Sequence, residues 1–379
     1  MNSISFKQIR SLALYASMAF AFTACNSDDD DNQLEVPATY EFLRDGSPTV
    51  DFSGQTQRMD MLAQLTTYLK TSNTVGADAL DVNTLKDMFR NENNPFPITY
   101  DKNLISKCFG PDTTFFLEAI EAAALASQAQ GAASEGVAGV LVEGSALQGY
   151  RVDENGLELI QVVEKGLMGA VFYYQAMEVY LSQDRMADVG NDDLVAGKNY
   201  TSMEHYFDEA FGYFGAPVDF PSSVSMEDAR FWATYCNRRN GGLYNGINDE
   251  ISDAFRTARA AIVAKDYESR DEAMQIVMEK WSIIIASTVV DYFNQGLSTS
   301  GNAEYKRHHA LSEAVGFMIG LKYHFNGGNS KFPPRYTFSN VEQALDIVGM
   351  NTNFYTLTDE DLEEAIGHIK MAFPSGEIK

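Results

Sequence analysis

The chain has 379 residues, 45% of them hydrophobic, with 53 acidic against 28 basic side chains and a formal charge of −25. A surface this acidic repels nucleic acid and anionic lipid, which excludes DNA and RNA as partners and favours solubility and the attraction of cations. Three cysteines are too few for a disulfide framework, and the length suffices for a large core in one domain or two.

Residues 1–24 carry Lys7 and Arg10, then an uncharged, mostly apolar stretch from Ser11 to Ala24. A basic start, a short apolar region and small residues at the processing point predict an export signal too short to span a membrane. Phe22-Thr23-Ala24-Cys25 resembles a lipobox, in which the Cys25 thiol is acylated and becomes the mature N-terminus; an ordinary signal peptide with an incidental Cys is the alternative. The acidic run Asp28 to Asp31 extends Cys25 into a solvated tether over 25–35. Such a run close behind the Cys also resembles the signal that sends lipoproteins to the outer face of the outer membrane. The expectation is therefore a lipid-anchored, surface-exposed protein that does not span the membrane. Cleavage removes two basic residues, leaving 26 basic (28 − 2) against 53 acidic side chains and a charge of −27. Cys108 and Cys236 then remain, as core thiols or as one disulfide.

Residues 36–379 form the predicted folded domain. The stretch 36–58 is broken by Gly46, Pro48 and Gly54 and reads as an extended arm or small hairpin. Helices are predicted near 56–71 and 84–91, with Pro95 and Pro97 forcing a loop. Asp112 is the expected N-cap of a helix running to about Gln130. Residues 131–149, rich in Gly, Ala and Ser around a Val-Leu-Val, are either a mobile excursion or a hairpin. Apolar residues at Leu157, Ile160, Val163, Leu167, Val171 and Tyr174 predict one long helix to Leu181. A helix from Tyr200 to Phe214 ends at Gly215 and Pro217. Capping boxes are read at Ser225/Asp228, Ser269/Glu272, Ser339/Glu342 and Thr358/Asp361. They accompany helices near 226–238, 246–265, 270–296, 303–325, 340–348 and 359–372. Nothing in this half reads as a strand, so the predicted fold is mainly α.

One pattern occurs twice. His205-x-x-x-Glu209-Ala210-Phe211-Gly212-Tyr213 returns 104 residues later (309 − 205) as His309-x-x-x-Glu313-Ala314-Val315-Gly316-Phe317. Each copy follows a long apolar-patterned segment containing Val162-x-Glu164-Lys165 or Val277-x-Glu279-Lys280. Repeat units near 157–215 and 270–326 therefore predict a bundle built from two related helix pairs. On a helix, positions i and i+4 share a face, so each copy presents an imidazole beside a carboxylate. Bundle cores build metal sites from such pairs together with Glu on facing helices. The candidate metal ligands are His205, Glu209, His309, Glu313, Glu164 and Glu279, a nitrogen and oxygen set suited to iron, zinc or manganese. Satisfied structural His–Glu pairs are the other reading.

Reaction signatures are missing. There is no His-Glu-x-x-His, no Gly-x-Ser-x-Gly elbow and no Walker loop, and neither Cys108 nor Cys236 has a sequence-adjacent His. The 24 Phe and 19 Tyr offer platforms that can stack a sugar, although at helical spacing they also serve a core. Arg238-Arg239 is a basic island that binds an anion or partner, or else caps a helix C-terminus.

Together with Cys25, the sequences Tyr40-Glu41-Phe42-x-Arg44-Asp45-Gly46-Ser47, Ser53-Gly54-Gln55-Thr56, Glu164-Lys165-Gly166-Leu167-Met168-Gly169 and Glu204-His205-x-x-Asp208-Glu209-Ala210-Phe211-Gly212-Tyr213-Phe214-Gly215 resemble a lipoprotein family related to the imelysins. The resemblance covers nearly all of the mature chain. It implies a cell-envelope, mainly helical, duplicated bundle associated with iron uptake, from proteins once named as peptidases. Their Gly-x-His-x-x-Glu sequence is missing here: His205 with Asp208 gives His-x-x-Asp, and His309 and Glu313 are one residue further apart. Three expectations follow. The chain is a surface-anchored binder of a metal ion, iron by resemblance; or a non-enzymatic glycan- or protein-binding module with structural His–Glu pairs; or an imelysin-type peptidase.

Overall fold

The computed structural model describes residues 34–187, 189–221, 228–301 and 303–379. The expected signal peptide, the acylated Cys25, most of the tether and Ser225 lie outside the described residues. The fold is mainly α, as the periodicity predicts.

The N-terminal arm forms a small hairpin, β1 (Leu43–Arg44) and β2 (Ser47–Pro48), turning through Asp45 and Gly46 at positive φ. Helices α1 (Ser53–Lys70), α2 (Val82–Arg90) and α3 (Thr113–Ala126) follow. The stretch read as an excursion or a hairpin contributes β3 (Gly139–Val142), which pairs antiparallel with β4 (Gly149–Val152). The predicted long helix begins as α4 (Leu159–Leu167) and continues as two π-helical segments, Met168–Tyr173 and Gln175–Tyr180. After the short α5 (Gln183–Met186) come α6 (Ser202–Phe214), α7 (Trp232–Arg239), α8 (Ile247–Ala264), α9 (Tyr267–Ser298), α10 (Glu304–Leu321), α11 (Phe338–Ile347) and α12 (Asp359–Ala372).

Caps explain the shifted boundaries. Helix α9 starts earlier than expected because Asp266, not Ser269, is its N-cap and accepts from the Ser269 amide at 3.1 Å. Helix α11 starts after Thr337, so Ser339 does not cap it. The Thr358/Asp361 box forms, and a box not anticipated, Thr201 with Glu204, opens α6. Asp112 stands at the N-cap position of α3, but its carboxylate accepts from Lys322 Nζ and the Tyr323 hydroxyl instead.

Helix α9 is long and apolar enough to cross a membrane by length and composition alone, yet 72% of its apolar window is buried inside the fold, between α8 and α10. Cys108 and Cys236 are both free and buried, so the optional disulfide is absent. Burial pushes the Cys108 thiol up to about 12.

A buried polar lock ties the arm to the bundle. Arg259, fully buried in α8, donates to Asp208 Oδ1 at 2.8 Å and to Glu204 Oε1 at 3.2 Å, both on α6. Tyr40 donates to the same Asp208 oxygen at 2.9 Å, and its ring stacks on Phe211 at 3.7 Å. Burial pushes the Asp208 carboxyl up to about 6 even beside the guanidinium.

The first long helix and α10 cross at glycines. A Cβ on Gly169 would lie 2.4 Å from Gly320 Cα, and one on Gly316 would lie 2.7 Å from both the Gln161 carbonyl and Lys165 Cβ. On Gly320, the nearest contact of a Cβ would be 3.7 Å, an ordinary packing distance. Gly169→Ala is therefore expected to lower stability by about 1–3 kcal/mol through overpacking. Gly320→Ala should be neutral or stabilising by up to about 1 kcal/mol, what helix propensity allows. Urea midpoints of the two variants check this difference.

His324 is 2% exposed, with Nε2 3.0 Å from the Phe332 carbonyl, and burial pushes its pKa down to about 4. The unfolded chain takes up that proton near pH 6.5, before the folded one does. This contribution to stability is present above about pH 6.5 and is lost as pH falls toward 4. His324→Asn is expected to flatten the stability profile over that window by up to ~1.4 kcal/mol per pH unit, as read by denaturation at several pH values.

Candidate functional site

The glycine crossing brings α4 and α10 together beside a cleft of about 750 Å³ lined by residues of α4, α7 and α10 and by Tyr150 of β4. A second depression of about 510 Å³ adjoins it, sharing Tyr235, Arg238, His309 and Glu313.

At the centre is Lys165, 4% exposed. Its Nζ lies 3.1 Å from Glu164 and 3.4 Å from Glu313, and the charge also sits 5.4 Å from the centre of the Tyr235 ring. Burial opposes the ammonium, but Glu164, Tyr235 and Glu313 outweigh it and hold the Lys165 pKa well above its ordinary value. Lys70 joins Glu164 from α1 at 3.2 Å. On the other wall His309 Nδ1 lies 2.6 Å from Glu158 Oε2, and its ring stacks on Tyr150 with centroids 3.9 Å apart. Glu158 is fully buried and also accepts from Gln161 Nε2 at 3.1 Å.

Two consequences follow for binding. Glu158 fixes Nδ1 of His309 as the donor, leaving Nε2 without a partner among the described contacts. Gln161, 1% exposed, spends its amide nitrogen on Glu158, and its Oε1 is a buried acceptor with no donor. Arg238 completes the rim. It is exposed and, among the described residues, meets only the Tyr235 ring, at 5.0 Å.

The structure brings together His309, Glu313 and Glu164 of the predicted set, and adds Glu158, Lys165, Gln161 and Arg238. It does not bring in the others. Glu279 pairs with Arg335 at 2.7 Å and with Gln275 on the outer side of α9. Its predicted match to Glu164 fails because Lys280 turns out to Glu250 where Lys165 turns inward. His205 and Glu209, 3.9 Å apart, form their own cluster: His205 stacks on Tyr200 at 4.4 Å, and Glu209 accepts from Gln55 at 2.8 Å. The two repeats therefore do not share one site. The signal for Glu158 and Tyr150 was weak, since each reaches His309 from a distant part of the chain.

In the cleft the carboxylates of Glu164 and Glu313 face an ammonium. Lys165 Nζ stands between the two carboxylates where a cation would sit, and among the described residues no three His, Cys, Asp or Glu side chains converge as ligands.

The model of one protein family, a domain of unknown function, matches residues 37–373. No curated protein and no solved structure matches the chain.

Burial lowers the His309 pKa, but the hydrogen bond and charge of Glu158, with Glu313, raise it above the ordinary value overall. The stabilising pair is thus fully present below about pH 6.5 and is lost as pH rises through the folded pKa. Glu158→Gln keeps an acceptor but removes the charge, so the His309 pKa is expected to fall. Proton NMR titration of the His309 ring reads the change, and an unaltered midpoint would refute the pairing.

Proposed function

Because the chain belongs to DUF4856, a family described as a domain of unknown function, its chemistry has to be read from the cleft, and we propose that this cleft binds a small hydroxylated organic acid of the uronic acid class. The observation that carries the reading is Gln161, a residue of the lining whose Oε1 is a buried acceptor with no donor from the protein. An unpaired buried acceptor costs about 1–3 kcal/mol, which a ligand hydroxyl would recover.

The rest of the lining agrees. Asn73, Gln148 and Thr234 offer further partners for hydroxyls, and Arg238 offers a guanidinium for a carboxylate. The acids of the site are already neutralised by Lys165, Lys70 and His309, so an anionic ligand meets a basic rim in an otherwise acidic protein. The aromatic rings are already engaged: Tyr150 stacks on His309 at 3.9 Å with Tyr305 at 6.1 Å, and Tyr235 faces Lys165 and Arg238. Recognition by hydrogen bonds and charge is favoured over ring stacking. This is the binding-module expectation, narrowed to a small acid. The expected lipid anchor at Cys25 would display the cleft at the cell surface, consistent with capture of an external ligand.

Isothermal titration of the full chain with glucuronate and galacturonate is expected to show saturable binding, weaker for glucose. Arg238→Ala and Gln161→Leu should each weaken it on the order of tenfold. Equal affinity for glucose and glucuronate, or acid binding untouched by both substitutions, would refute the proposal. Elemental analysis of the same preparation tests the iron reading: one or two tight metals per chain, lost in His309→Ala, would replace the acid by a metal.

A further inference from the structure

The cleft does not end at His309. The adjoining depression of about 510 Å³ shares Tyr235, Arg238, His309 and Glu313 with it, and is completed by Arg239 of α7 and by Asp291 and Gln295 of α9. Each lobe alone has the volume of a small-molecule pocket. A single small acid seated in the first therefore leaves the second unfilled.

The two linings carry unpartnered buried atoms of opposite kind. In the first lobe Gln161 Oε1 is an acceptor with no donor from the protein, and in the second Arg239 Nε is a donor with no acceptor. Arg239 is only partly spent. Its Nη2 meets Asp291 Oδ2 at 2.8 Å, and Gln295 Nε2 reaches the same oxygen at 2.9 Å. Because both contacts fall on one oxygen, Asp291 Oδ1 is left to accept from a ligand hydroxyl.

Arg238 stands where the lobes meet, exposed and facing only the Tyr235 ring among the described residues. Successive residues of an α-helix point ~100° apart, so Arg238 and Arg239 cannot close on the same carboxylate. They serve different parts of a ligand. A donor hydroxyl is wanted at one end, a carboxylate at the junction, and oxygen acceptors with a further hydroxyl at the other end.

From this arrangement we infer that the cleft and the depression form one two-lobed site for a diuronide. Its two linked uronate units straddle His309 and Glu313, with one carboxylate on Arg238 and the oxygens of the second unit on Arg239 and Asp291. The inference rests on the uronic acid reading of the cleft and adds the second lobe to it. Linkage makes binding of the second unit an intramolecular step, so the pair binds more tightly than one unit.

Isothermal titration of the full chain with galacturonate and with 1,4-linked digalacturonate measures that gain. Digalacturonate is expected to bind at least about tenfold more tightly. Arg239→Lys keeps a positive charge for Asp291 but has no Nε donor and no guanidinium fork, and should bring the ratio of the two affinities close to one. General damage to the fold would instead weaken both ligands and leave their ratio as it was. Equal affinities in the unaltered chain, or a ratio that survives Arg239→Lys, overturns the inference. If galacturonate still binds, either of those results leaves the reading of the cleft standing; binding of neither ligand overturns both.

Discussion

No side chain fits on Gly169 where the first long helix meets α10 at Gly320, and the rest of the structure is arranged by that contact. Close approach there lays Gly316 against Lys165, so the ammonium is enclosed between two helices and must find its counter-charges inside. It finds them in Glu164 on its own helix and Glu313 on the other. Removing one partner of a buried pair typically costs ~3–5 kcal/mol, so the crossing is held sterically by glycine and electrostatically by lysine. The same geometry swings His309, one turn before Glu313, over to Glu158. Packing and site are consequences of one approach distance.

The helices and the repeated His–Glu pattern were legible in the sequence because both are local periodicities. The mainly α class, the hairpin alternative for 131–149 and the Thr358/Asp361 cap all rest on spacing within a few residues. Less was legible about the site, because its geometry depends on which side of a helix faces a neighbour. Lys165 and Lys280 stand in nearly identical local sequence, yet one is buried and the other pairs with Glu250 at the surface. Glu158 and Tyr150 meet His309 from about 150 residues away, a separation across which no spacing rule operates. The start of α9 shows the same limit at small scale: Asp266 and Ser269 are both good caps, and only the path of the preceding chain selects between them.

The aromatic abundance resolves in a similar way. Trp232, Trp281, Phe214, Phe255 and Phe317 form a contiguous buried lattice of edge and tilted contacts, which gives the core its volume. At the cleft and its counterpart in the first repeat the tyrosines contribute hydroxyls and already-paired faces. A residue type that looked like a stacking surface therefore acts mainly as packing with a polar end.

The π-helical stretch after α4 bears on how the two halves compare. From Val162 to Tyr180 the first long helix spends 18 residues (180 − 162), whereas from Val277 to Tyr292 the regular α9 spends 15 (292 − 277). Both journeys nevertheless end with a phenol beside the glutamate of the following helix. The wider i→i+5 turns absorb the three surplus residues as added girth. Residue counting is thus a poor ruler between the halves. An alignment that closed the surplus with a gap would be sound only if the gap were spread through Met168–Tyr180, where the backbone itself has already made room.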